Sequence, residues 1–226
     1  MKSLQMEQAK QLLALQARMN ATVNPDWLTA GYPFLRAVVV EVGEALDHFG
    51  WKWWKKELPN IEQVGVELID ILHFMLSHEL IQARGNVELA AARITSSSDL
   101  SVNAIMFDGS LHQLDRSDPR ELFELLAGLA VCRRNEFPVL EACFEALNLS
   151  WDVVLVQYIS KNVLNIFRQD NGYKSGIYVK QWDGREDNVH LIEIVSSMNA
   201  NNESFSVDLY DALVARYAEV LKIRKV

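Results

Sequence analysis

Cysteine is scarce in this chain. Cys132 and Cys143 are the only two in 226 residues, and no CxxC pair occurs. That spacing gives no disulfide framework, and both thiols read as small buried hydrophobes in a reducing compartment. Long apolar runs are missing as well. No stretch approaches the ~18 to 20 apolar residues of a membrane span, and Met1-Lys-Ser-Leu-Gln-Met-Glu-Gln lacks an apolar signal core. The expectation is a soluble, cytoplasmic protein with no membrane partner. Positive charge is in short supply: 22 basic against 30 acidic residues give a formal net charge of −8. General nucleic-acid binders are basic, so no nucleic-acid partner is expected, although a local basic patch stays open. GxxxxGK[ST], HExxH, GxSxG and GxGxxG patterns are absent and no internal repeat is evident, so nucleophilic triads and Rossmann chemistry have no support.

What the chain does have is apolar residues at helical spacing. Half of its residues are hydrophobic, ample for a sizeable core, and one domain over residues 1–226 is expected. Leu4, Leu12, Leu15 and Met19 mark a helix over 3–21 that stops before Asn24-Pro25. Pro33 opens a second to about Phe49, and a third runs from Ile61 to Ala83 and stops at Gly85. Residues 95–118, with Ser96 to Ser98 and Ser117, carry no legible chemistry. Asp118-Pro119 caps a helix to about Arg134, another spans Phe137 to Leu147, and Ser150 caps a long one to about Gln169. Residues 185–198 and 206–223 read as two more, built as scaffold. The fold class is therefore all-α, a multi-helix bundle with a metal site between two core helices, and 95–150 read as an inserted or capping helical region.

The chemistry starts from carboxylates. Glu41-x-x-Glu44 and Glu67-x-x-Asp70 each place two acids on one helical face. Glu41 and Glu44 taken alone read equally well as a solvated face. From Val64 to Leu76, however, only Gly65, Glu67, Asp70 and His73 are not apolar. A helix apolar on nearly every side is buried, and a buried carboxylate without a partner is costly. Four clustered carboxylates repel one another, and divalent cations are the natural counter-charge; oxygen donors favour Mg2+, or Mn2+, over zinc.

Other segments can complete a site. Gln16 and Asn20 share a face of the first helix; solvation is the commoner fate, and reading a nucleobase edge the rarer. His73 can be a ligand, a base reader or a satisfied core histidine. Gly50-Trp51-Lys52-Trp53-Trp54-Lys55-Lys56 can stack on a ligand, lie at a membrane surface or pack back on the core. Residues 161–185 hold Lys161, Arg168, Lys174, Lys180 and Arg185 against Asp170 and Asp183, an excess of three positive charges in an acidic chain. Lys161, Asn165 and Arg168 share one face, followed by Asp170-Asn-Gly-Tyr-Lys174, a pattern suited to a polyphosphate. Acids and cations together suggest metal-assisted attack of water on a nucleotide phosphoanhydride.

Glu41-x-x-Glu44, Glu67-x-x-Asp70-x-x-His73-Phe74 and the block from Lys161 through Asn165, Arg168, Tyr173 and Lys174 to Lys180-Gln-Trp182 resemble the dimeric dUTPases, all-α nucleoside triphosphate pyrophosphohydrolases related to MazG. The similarity covers roughly the first 85 residues and 155–190. It implies a homodimer that hydrolyses dUTP, and dUDP too, to dUMP. It implies Mg2+ on Glu41, Glu44, Glu67 and Asp70, with Glu44 orienting or deprotonating the water. Lys161, Asn165, Arg168, Tyr173, Lys174 and Lys180 would hold phosphates and sugar. Gln16, Asn20, His73 and Phe74 would surround the base, with Trp51 or Trp53 closing over it. Met19 stands where the family's first motif often has leucine, and relatives that also cleave dCTP or other nucleotides keep the base open. Two rivals remain at this point: a carboxylate-bridged di-iron bundle, which usually needs two Glu-x-x-His motifs, and a non-catalytic helical module using the tryptophan loop.

Overall fold

A computed structural model describes residues 3–97, 102–115, 118–200, 202 and 204–223; Ser98 and Ser117 of the serine-bearing stretches lie outside the described residues. The chain divides into two compact units, Met1–Leu155 and Val156–Val226. The all-α expectation holds: nine helices and two two-stranded hairpins make up the described structure.

In the first unit, α1 (Met6–Val23), α2 (Phe34–Phe49) and α3 (Ile61–Gln82) are followed by α4 (Val87–Ser97), the hairpin β1 (Ala104–Phe107) and β2 (Ser110–Gln113), α5 (Pro119–Val131) and α6 (Phe137–Ala146). α3 is the centre, packed against α1, α2, α4 and α6, which is why its sequence is apolar on nearly every side. Val64, Leu68, Ile71, Leu72 and Leu76 are fully buried there, as are Leu12 and Leu13 of α1 and Val38 and Ala45 of α2. Asn60 caps the start of α3 by accepting from the Gln63 N–H at 3.3 Å. At its far end the chain turns at left-handed Arg84 and Gly85, and the Gly85 N–H returns to the Leu80 carbonyl at 2.8 Å.

The middle third holds a feature that helical periodicity misses. Asp108 and Gly109 both have positive φ, 49° and 73°, and make the two-residue turn of β1–β2 with Phe107 opposite Ser110. Phe107 docks on α5 so closely that a Cβ on Gly128 would lie 2.9 Å from its ring. Asp118 does cap α5, accepting from the Arg120 N–H at 3.0 Å. One cysteine expectation is corrected: Cys143 is buried in α6, whereas Cys132 ends α5 and is exposed, because the helix stops just as its apolar stripe reaches solvent.

The second unit takes in most of α7 (Trp151–Asp170), the hairpin β3 (Gln181–Trp182) and β4 (Arg185–Glu186), α8 (Asp187–Ser196) and α9 (Phe205–Ile223). Asp183-Gly184 makes the same positive-φ turn here. Its core is aromatic: the Phe167 ring meets Tyr178, Trp182, Tyr210 and Tyr217 edge-on at centroid distances of 5.5 to 6.1 Å.

Candidate active site

α3 carries polar groups toward two neighbours. On the α2 side, Glu41, Glu67 and Asp70 each bring a carboxylate oxygen within 4.8 Å of the other two. Glu67 is only 5% exposed, and Glu41 and Asp70 are half-buried. Three acids this close repel one another, and an oxygen-only donor set of this spacing fits one hard divalent cation. Glu44 does not join the trio: it is exposed on α2, because a three-residue step from Glu41, already at the margin of the apolar stripe, rotates it further out. The pocket gains a residue that sequence reading passed over. His48, two turns beyond Glu41 and on the same face, places Nε2 3.5 Å from Glu67 Oε1. The signal was its seven-residue spacing from Glu41.

On the α1 side lies a connected polar cluster. Gln16 Oε1 faces His73 Nδ1 at 2.7 Å, and Gln16 Nε2 donates to Ser77 Oγ at 2.8 Å and to Asn20 Oδ1 at 3.0 Å. Asn20 Nδ2 donates to the same Ser77 Oγ at 3.0 Å. Gln16, His73 and Ser77 are buried and Asn20 is half-buried. The amides thus do not lie on a solvated face, and Ser77 is a member that sequence reading did not single out.

Phe74 follows on α3, stacked on Phe34 at 6.5 Å; with Tyr32, Arg36 and Val40 these rings line an open apolar hollow of about 290 Å³. The tryptophan loop does not pack back on the core. Trp53 is 90% exposed and Trp54 57%, and Trp51, 46% exposed, is held by Nε1 donating to Asp47 Oδ1 at 3.2 Å, by edge-on contact with Trp54 at 5.2 Å and by the Lys52 ammonium 5.0 Å over its ring. The loop's stem is fixed instead. Lys52 Nζ meets Glu57 at 2.9 Å, and Arg120 Nε donates to the Gly50 carbonyl at 2.6 Å while its guanidinium lies 4.7 Å over the Phe49 ring.

In the second unit the basic block is turned largely inward. Arg168 meets Asp187 through both carboxylate oxygens, at 2.8 and 2.7 Å, and donates to Asn165 Oδ1 at 3.1 Å. Lys161 Nζ donates to Asn188 Oδ1 at 2.8 Å. Both cations are buried, and Asp187 is fully so. Burial works to raise the Asp187 pKa, but the Arg168 pair, with Tyr178 donating from 2.7 Å and Lys161 nearby, outweighs it and holds the carboxyl below its usual range. Tyr173 and Lys174 are exposed, and Lys180, also exposed, pairs with Glu186 at 3.1 Å.

The sequence profile of a family described as dUTPase matches residues 8–173. The chain belongs to that dUTPase family. It is a dUTP diphosphatase-type hydrolase, and the family generally uses a divalent metal, in keeping with the carboxylate trio. No curated protein matches the chain. Membership sets aside both the oxidoreductase and the non-catalytic rival. The match spans α1 to α7 and ends at Tyr173, so Lys174, Lys180 and the Asp187 that neutralises Arg168 lie beyond it. No helix among the described residues is long and apolar enough to cross a membrane.

The second unit's inward turn had a sequence signal. Carrying the charge count two residues past Arg185, to Glu186 and Asp187, reduces the positive excess from three to one. The dUTPase resemblance placed this block around phosphates, and the residues from 185 onward read only as scaffold.

Proposed function

We propose that this dUTPase hydrolyses dUTP, and dUDP as well, to dUMP in a Mg2+-dependent reaction, releasing pyrophosphate from dUTP, as a homodimer. The observation that carries the proposal is the Glu41–Glu67–Asp70 trio, whose spacing and buried setting suit one hard cation. Those three residues would hold Mg2+, with Mn2+ a workable substitute, and the bound ion supplies charge neutralisation for the phosphate oxygens and a lowered pKa for water. Glu44, exposed beside the trio, orients the attacking water and accepts its proton as the new P–O bond forms. The pyrophosphate oxygen then leaves with the P–O bond electrons.

Gln16, Asn20 and His73 address the base edge, Phe74 its face, and Trp51 or Trp53 closes over it. The high exposure of the two tryptophans favours ligand contact over packing. Of the block assigned to phosphates and sugar, Tyr173, Lys174 and Lys180 are the exposed members and take the direct contacts in this reading. Lys161, Asn165 and Arg168 shape the segment that carries them through Asn188 and Asp187.

Incubation with dUTP, dCTP, dTTP or UTP while pyrophosphate is monitored tests the proposal. The expected result is release from dUTP with Mg2+ present and none after chelation. No turnover of any of the four overturns it.

A further inference from the structure

Ser77 is 0% exposed, one turn beyond His73 on α3, and lies where Gln16 and Asn20 meet. We infer that Ser77 is a positioning residue for base specificity: its hydroxyl pins the Gln16 and Asn20 side-chain amides in one orientation, so that the pocket accepts one pyrimidine and rejects the other. The inference rests on the reading above that these amides address the base.

A serine hydroxyl has one proton and two lone pairs. The proton goes to the His73 carbonyl at 2.8 Å, with Asn20 Oδ1 the more distant alternative at 3.4 Å. Toward the two amides Ser77 Oγ therefore acts as an acceptor, from Gln16 Nε2 at 2.8 Å and Asn20 Nδ2 at 3.0 Å. Turning either amide by half a revolution would set a carbonyl oxygen against Oγ with no proton between them, inside a buried site where such a mismatch is costly. The order then propagates. With its nitrogen on Ser77, Gln16 presents Oε1 to His73 Nδ1 at 2.7 Å, which makes Nδ1 the protonated ring nitrogen, and its second N–H reaches Asn20 Oδ1 at 3.0 Å. Asn20, the half-buried member, is left with donor and acceptor in a set order.

That order matters because the two pyrimidines differ by reversal. Uracil offers a donor at N3 and an acceptor at O4, whereas cytosine offers an acceptor at N3 and a donor at its amino group. An amide that can flip pairs with either, and a pinned one pairs with only one. A site built to hydrogen-bond a substrate discriminates strongly because the wrong partner leaves buried polar groups unpaired.

The test compares kcat/KM for dUTP and dCTP in the wild type and in the Ser77→Ala, Ser77→Cys and Ser77→Thr variants. Thermal melting verifies that each is folded, and Ser77→Cys carries the test if Ser77→Ala does not fold. The wild type should prefer dUTP. Loss of the hydroxyl should reduce the dUTP/dCTP ratio roughly tenfold or more, mainly through KM, and Ser77→Thr should restore it. Folded Ala or Cys variants that keep the wild-type ratio overturn the role of Ser77 alone. A wild type that turns over both nucleotides equally overturns the base-reading assignment and this inference with it. A protein inactive on all nucleotides strikes the proposed function itself.

Discussion

In the first unit three carboxylates, Glu41, Glu67 and Asp70, stand within 4.8 Å of one another, whereas in the second a buried arginine, Arg168, is met by both oxygens of a buried aspartate. Both arrangements place charge in a low-dielectric setting, where an unbalanced charge is expensive. The second unit balances its account internally, through Asp187, Tyr178, Asn165 and Asn188. The first concentrates one sign of charge, which suits an outside cation. The contrast teaches that carboxylates gathered on facing helices suit a ligand of opposite charge, whereas a cation met by a carboxylate of its own unit holds the fold.

The sharpest way to break that contrast is to remove charge from the trio. Glu67→Gln or Asp70→Asn should lower turnover of dUTP by about a thousandfold or more, since a bound metal contributes several kcal/mol to such transition states and each ~1.4 kcal/mol is a factor of ten. The same changes relieve like-charge repulsion, so the metal-free melting temperature should rise. Retained turnover in both variants would remove the trio from the site. A fall in metal-free stability would show that its charges are already balanced within the chain.

Next in size is Arg168→Ala, the converse experiment. It strands Asp187 as a buried carboxylate, and breaking a buried pair costs on the order of 3 to 5 kcal/mol. Urea unfolding should show that loss with no nucleotide present. Wild-type stability combined with weakened binding of a non-hydrolysable dUTP analogue would instead place Arg168 in direct contact with phosphate.

How much of this was legible in the sequence follows from the same contrast. The helices and the α3 carboxylates were readable because burial of an almost wholly apolar helix turns Glu67 and Asp70 into anomalies that periodicity exposes. The hairpin at Asp108-Gly109 was missed although that dipeptide is a turn signal, since its strands of four residues are too short to compete with the helical pattern around them. Glu44 shows the limit of spacing arguments: a three-residue step sets the face only to within 60° of rotation, and the trio closed with His48 nearby instead. Ser77 and Asp187 were not readable as partners. Each meets residues far away in the chain, 61 positions for Ser77–Gln16 and 19 for Asp187–Arg168, and no local pattern encodes such a pairing.

The smallest effect tests how the second unit keeps its balance. Tyr178 donates to Asp187 Oδ2 at 2.7 Å, and burial followed by the neighbouring Asp187 charge pushes the phenol's own pKa up, so it remains a donor throughout the ordinary range. Tyr178→Phe removes one hydrogen bond to a charged group and should cost about 1.5 kcal/mol, less than Arg168→Ala because the arginine stays. The pH dependence gives the cause. The Asp187 pKa is depressed in the folded state, so the stability linked to it is present above the ordinary aspartate value, about 4, and is lost as pH falls from there through the folded-state value. In Tyr178→Phe that folded value moves up toward the ordinary one, and less stability is left to lose. Urea midpoints measured from pH 7 to 3 should therefore show the gap between wild type and variant widest above about pH 4 and closing below it, as both forms protonate Asp187. A gap of constant size across the range would mean that the hydroxyl stabilises the unit by packing and not through the carboxylate, and the electrostatic half of the contrast would then rest on Arg168 alone.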